Sequence, residues 1–146
     1  MDNLESVALN TMLSSLRKRL QKDINDALRP MRITSVHAHY MLALVTSEEQ
    51  LNLTELSAVL DVDKANTTRV VAELTTRGLV EKIRQSPHDR RFIVLLTDEG
   101  KKVAEHVKKV IVESEQKYLT LLEPEAREVF LDSLEKMSEY TADEDL

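Results

Sequence analysis

Apolar positions along the chain follow a helical period at both ends and a tighter alternation in the middle. Between Asn3 and Leu28, the residues Leu9, Leu13, Leu16, Leu20 and Ile24 recur every three or four positions. That spacing places them on one face of a long helix. Arg17, Lys18, Arg19 and Lys22 fall mainly on the other faces, and Pro30 ends the segment. Val36, Tyr40, Met41, Leu44 and Val45 predict a second helix, capped by Thr34 or Ser35. After the polar break Ser47–Gln50, Leu51-Asn52-Leu53 reads as a short strand. Thr54 is the expected cap of a short helix reaching Leu60, with Leu56, Val59 and Leu60 inward. The turn Asp61-Val62-Asp63 leads into a helix from Lys64 to Arg77, with Asp63 as N-cap and Gly78 closing its C-terminus.

The period then shortens. Leu79–Gln85 and Phe92–Leu96 are strand candidates around a polar turn, Ser86–Arg90, and together they predict a β-hairpin. Pro87 suits the turn and would break a continuing strand. Thr97 caps a long helix that begins at Asp98 and extends toward Leu122, with Asp98 and Glu99 at the positive end of its dipole. Val103, Val107, Val110 and Ile111 line one face. Pro124 opens a last helix whose Ala126, Val129, Phe130, Leu134 and Met137 are expected to face inward. Thr141–Asp145 reads as a frayed tail. The predicted fold is mainly α with a small β-hairpin wing. It is a winged helix-turn-helix over residues 33–100, flanked by helical arms at 1–32 and 101–146.

Composition narrows the chemistry. There is no cysteine among the 146 residues, which excludes disulfides and thiolate metal ligands. No apolar run approaches the roughly 18 residues of a membrane span, and no signal-peptide pattern opens the chain, so a cytoplasmic location is expected. With two glycines there is no phosphate-cradling loop, and no nucleophile elbow or paired carboxylates stand out, so the reading is not an enzyme and no cofactor is called for. The net charge is −6, but it is unevenly spread. From Lys64 to Arg91, seven basic residues oppose three acidic ones, a local +4 that leaves −10 on the remainder. A basic centre with acidic arms is a local footprint for phosphate.

The helix Lys64–Arg77 turns Val70, Val71 and Leu74 to one side and crowds Lys64, Ala65, Asn66, Thr67, Thr68 and Arg69 into its first turns. A helix that enters the DNA major groove has this build, with its N-terminal side chains at base edges and its other face in the domain. Asn can pair with adenine, Arg with guanine, and a threonine methyl can meet the thymine methyl. The hairpin tip His88-Asp89-Arg90-Arg91 offers arginines to the narrow minor groove, with Asp89 expected to hold a neighbouring arginine. Lys82 and Arg84 on the first hairpin strand are candidate phosphate contacts.

These segments resemble the MarR family of winged-helix regulators. The resemblance rests on Leu53-Thr54-Glu55-Leu56, on Asp63-Lys64-Ala65-Asn66-Thr67-Thr68-Arg69-Val70-Val71, on Leu74 with Arg77-Gly78-Leu79-Val80-Glu81, and on Asp89-Arg90-Arg91 followed by Val94, Leu96, Thr97 and Gly100. It covers roughly residues 33–107. Asp61 stands where the family often has glycine, and Asp tolerates the left-handed conformation better than most residues. The resemblance implies a DNA-binding transcriptional regulator, more often a repressor. It also implies a homodimer formed through the terminal helices, reading a pseudo-palindromic operator on double-stranded DNA. A small aromatic or anionic effector is a further implication, with Arg17, His37, Tyr40 and Met41 as candidate ligand residues. His37 and His39, two apart on a helix, point in different directions and make a poor metal pair. The rival reading is a winged helix used only as a protein-interaction module. Net acidity favours it, and the cations at both helix start and wing oppose it.

Overall fold

Side-chain caps set the starts of four of the six α-helices among the described residues. The computed structural model describes residues 3–140, with side chains from Ala8 onward, so the tail expected to fray lies outside the described residues. Helix α1 spans Asn3–Leu28 and passes through a 3₁₀ turn, Arg29–Met31, into α2, Ser35–Thr46. The Thr34 hydroxyl caps α2 by accepting from the His37 amide at 3.3 Å. Strand β1, Leu51–Asn52, runs directly into α3, Leu53–Leu60. The cap of α3 is Asn52 rather than Thr54. Asn52 Oδ1 accepts from the Glu55 amide at 2.8 Å, and Glu55 Oε1 accepts from the Asn52 amide at 3.1 Å. This reciprocal box satisfies two end groups at once and moves the helix start two residues earlier than expected. Asp61 closes α3 in the left-handed region at φ 53°, the conformation its short polar side chain tolerates.

Helix α4, Lys64–Thr76, is capped by Asp63, whose carboxylate accepts from the Asn66 amide at 2.7 Å. At its other end Gly78 takes φ 73°, and the amides of Gly78 and Leu79 return to the carbonyls of Thr75 and Leu74. That pair of bonds is a Schellman closure, with buried Leu74 and Leu79 as its apolar contact. Strands β2, Val80–Arg84, and β3, Phe92–Leu96, form the hairpin. β1 adds to the far side of β3, giving an antiparallel sheet of order β1-β3-β2 with Leu51 opposite Val94 and Arg84 opposite Phe92. Helix α5, Asp98–Leu119, starts on Thr97, whose hydroxyl donates to the Gly78 carbonyl at 2.7 Å and accepts from the Gly100 amide at 3.0 Å. Helix α6 is Pro124–Ser138.

The chain divides into two compact units, one ending at Ile111 and one beginning at Val112. In the first, Ile24 and Leu28 of α1 belong to the same buried cluster as Met41, Leu56, Val70, Leu74, Val94 and Val107. The C-terminal end of α1 is therefore part of the winged-helix core, and no separate core begins at residue 33. Leu9 and Leu13, toward the other end of α1, stay exposed. In the second unit, Arg127 of α6 donates to the Leu119 and Leu122 carbonyls at 3.0 and 3.1 Å, tying the helix start to the end of α5. The apolar side chains expected to face inward on α6 are not buried: Val129 is 64% and Met137 58% exposed.

Candidate nucleic-acid interface

The amphipathic build of α4 sorts its first turns into an inner and an outer set. Val70, Val71 and Leu74 are buried, and Thr67 is buried with them. Lys64, Ala65, Asn66, Thr68 and Arg69 are exposed. Thr67 thus departs from the expected reading set. Its Oγ1 lies 2.7 Å from Ser57 Oγ and 3.2 Å from the Tyr40 hydroxyl, a buried hydroxyl chain that joins α2, α3 and α4. Position 67 is one helical turn before Val71 and faces the interior, which periodicity permits and its polar type conceals.

The outer set is pre-ordered. Arg69 Nη1 donates to Glu73 Oε1 at 3.0 Å, and Nη2 reaches Asn66 Oδ1 at 3.5 Å. The second Glu73 oxygen lies 2.7 Å from His37 Nε2 of α2. The His37 hydrogen bond first, and the Arg69 guanidinium after it, hold the Glu73 carboxyl below the usual carboxylate range. His37 Nδ1 is buried without a partner among the described residues, while Nε2 faces the Glu73 carboxylate. A line of contacts thus runs from α2 through Glu73 to Arg69 and Asn66.

The wing is built around Phe92. Lys82 Nζ lies 5.7 Å and Arg84 Cζ 4.8 Å from the Phe92 ring centroid, so both cations of β2 sit over one aromatic. At the tip, the Asp89 amide returns to the Ser86 carbonyl at 3.1 Å, and Asp89 Oδ1 accepts from the Arg91 amide at 2.9 Å. Asp89 therefore shapes the tip backbone instead of pairing with an arginine side chain. His88, Arg90 and Arg91 are exposed.

Two arginines outside these sets acquire distinct roles. Arg77, at the end of α4, donates through Nη1 to the Arg32 carbonyl and through Nη2 to the Met31 carbonyl at 2.8 Å. It serves as a clamp on the α1–α2 junction. Arg32, held at φ 56°, joins Arg29, Asn25, His37, Arg69 and Glu73 around a basin of about 730 Å³. The candidate ligand residues do not assemble there. Only His37 lines it; Tyr40 and Met41 are in the core and Arg17 is exposed on α1. Core packing claimed Tyr40 and Met41 because they fall on the inward face of α2.

The helix-turn-helix α3–α4, the three-stranded sheet and the hairpin tip define a winged-helix protein. The MarR family model matches residues 33–91. The chain is 30% identical over 109 residues to the HTH-type transcriptional regulator BilQ of Clostridioides difficile, covering 74% of this chain and 72% of BilQ. Among solved structures it is similar to a MarR transcriptional regulator of Methanosarcina mazei, with 28% identity, a TM-score of 0.80, and coverage of 90% of this chain and 94% of that one. The S. aureus MepR–DNA complex shares the fold at 19% identity, with a TM-score of 0.81 over 88% of this chain and 94% of MepR. The chain belongs to the MarR family and is a transcriptional regulator of that family, not an enzyme. Among the described residues, no helix is long and apolar enough to cross a membrane.

Proposed function

We propose that this regulator binds a pseudo-palindromic operator as a homodimer and represses by occluding the promoter. The observation that carries the reading is the two-sidedness of α4: its apolar face is buried while Lys64, Asn66, Thr68 and Arg69 stay exposed at the end that would enter a major groove. The exposed Arg90 and Arg91 at the wing would reach the flanking minor groove, where the negative potential is enhanced. Lys82 and Arg84, stacked on Phe92, would face the phosphates between. DNA bound to MepR, a protein of the same fold, supports the reading. Dimerisation is supported by the apolar side chains left open on α1, among them Leu9 and Met12, and on α6, among them Val129 and Met137. A single chain leaves such surface in water, and a two-fold partner would cover it.

The test is fluorescence anisotropy at two salt concentrations, on duplexes from the DNA flanking the protein's own gene and on an unrelated duplex. Selective, salt-sensitive binding is the expected result. Equal weak binding to both would favour the interaction-module reading. Arg90→Ala is expected to lower the salt slope by about one, and an unaltered slope removes Arg90 from the contacts. Asn66→Ala is expected to relax preference at one base position by ~1–3 kcal/mol, read from a selection profile. An unchanged profile would show that Asn66 reads no base.

A further inference from the structure

The basin beside the reading face has a composition that α4 and the wing do not account for. Three arginines line it, Arg29 and Arg32 from the α1–α2 junction and Arg69 from α4, against the single acid Glu73. The N-terminus of α2 opens into the same space through Thr34, Ser35 and Val36. The Ser35 amide is taken by Asn25 Oδ1 at 2.6 Å and the His37 amide by Thr34 Oγ1. The Val36 amide between them has no hydrogen-bond partner among the described residues.

The arginines differ in how they are held. Arg29 pairs with Asp26 at 2.7 Å, and Asp26 also takes Lys22. Arg69 is shared with Glu73. Arg32 has no ion pair among the described residues, yet its backbone is fixed: it sits in the left-handed region, and Arg77 grips its carbonyl. An exposed cation with an anchored backbone and a free head group suits an anionic oxygen, and the open amide and helix dipole beside it favour the same charge. Because Arg69 belongs to both the basin and the reading face, an anion seated here lies within reach of whatever α4 reads.

We propose that the α1–α2 junction is a second phosphate seat, in which Arg32, Arg29 and the Val36 amide hold a phosphodiester of the operator beside α4. This rests on the DNA-binding reading above. It gives each recognition helix a backbone contact besides those of the wing, which would help fix its register in the groove.

The experiment compares the wild-type chain with Arg32→Asn and Arg29→Gln, using operator and unrelated duplexes across a salt series. Asn removes the charge and tolerates the left-handed backbone, and circular dichroism checks that each variant is folded. Each variant is expected to lower the salt slope by about one. Both duplexes should be weakened alike, with base preferences in unchanged order. An unchanged slope in folded Arg32→Asn and Arg29→Gln overturns the seat while leaving the DNA-binding reading intact. Wild-type protein that binds no duplex removes both. A calorimetric titration with inorganic phosphate separates the sources of the anion. Phosphate heat that Arg32→Asn abolishes, with operator slope unaffected, makes the basin a small-anion site and overturns its assignment to DNA.

Discussion

Gly100→Ala is expected to destabilise the protein by roughly 3 kcal/mol, at the upper end of overpacking effects in close-packed interiors. A Cβ at position 100 would stand 1.9 Å from the Leu79 carbonyl oxygen and 2.9 Å from its carbon. Both atoms are backbone, so no rotamer change relieves the clash. That carbonyl also accepts from the Thr97 amide at 3.1 Å, and Thr97 in turn ties the Gly78 carbonyl to the first turn of α5. A shift of Leu79 would therefore loosen the closure of α4, the entry to the wing and the start of α5 together. Urea unfolding should show a lower midpoint with an unchanged slope. Gly78→Ala is the comparison. Gly78 has open space where its Cβ would go but a φ of 73°, so only the left-handed penalty of about 1–2 kcal/mol applies. If Gly100→Ala were no worse than Gly78→Ala, the close approach of α5 to Leu79 would be wrong.

Thr67→Val should destabilise by about 2 kcal/mol, although it keeps the side chain's shape. The substitution deletes the middle hydroxyl of the Ser57–Thr67–Tyr40 chain. Tyr40, only 3% exposed, is left with a buried hydroxyl and no partner, and that desolvation penalty is roughly 1–3 kcal/mol. Ser57 keeps the Leu53 carbonyl at 2.8 Å, so its loss is smaller. Thr67→Ser should retain most of the stability and also the operator affinity, because the hydroxyl and not the methyl is what α2 and α3 use. A Thr67→Ser variant that folds normally but changes base preference would return Thr67 to the reading face.

These two positions show how far the amino-acid pattern reaches. The helices, the Asp63 and Thr97 caps and the Gly78 closure are legible because each depends on neighbours within about five residues, and the hairpin because one short polar turn joins two strands adjacent in the chain. The same holds for the exposed Asn66 and Arg69, which follow from the apolar stripe Val70, Val71 and Leu74 on the same helix. The sequence leaves the start of α3 open between Asn52 and Thr54, both good caps, and only the reciprocal Glu55 bond decides between them. Thr67 reads as exposed in the sequence and is buried in the structure, because a threonine on a helix can serve either water or a buried hydroxyl.

What the sequence determined without help is the local order: which segments are helical, where they stop, and that a basic stretch from Lys64 to Arg91 sits in an acidic chain. Tertiary structure decided the pairings between residues far apart. His37 meets Glu73 across 36 positions, Arg77 grips the Arg32 carbonyl across 45, and the helix start at Gly100 presses on Leu79. Such contacts depend on how α2, α4 and α5 cross in the core. Packing sets those crossings through the combined shape of many side chains, which no single spacing in the chain records.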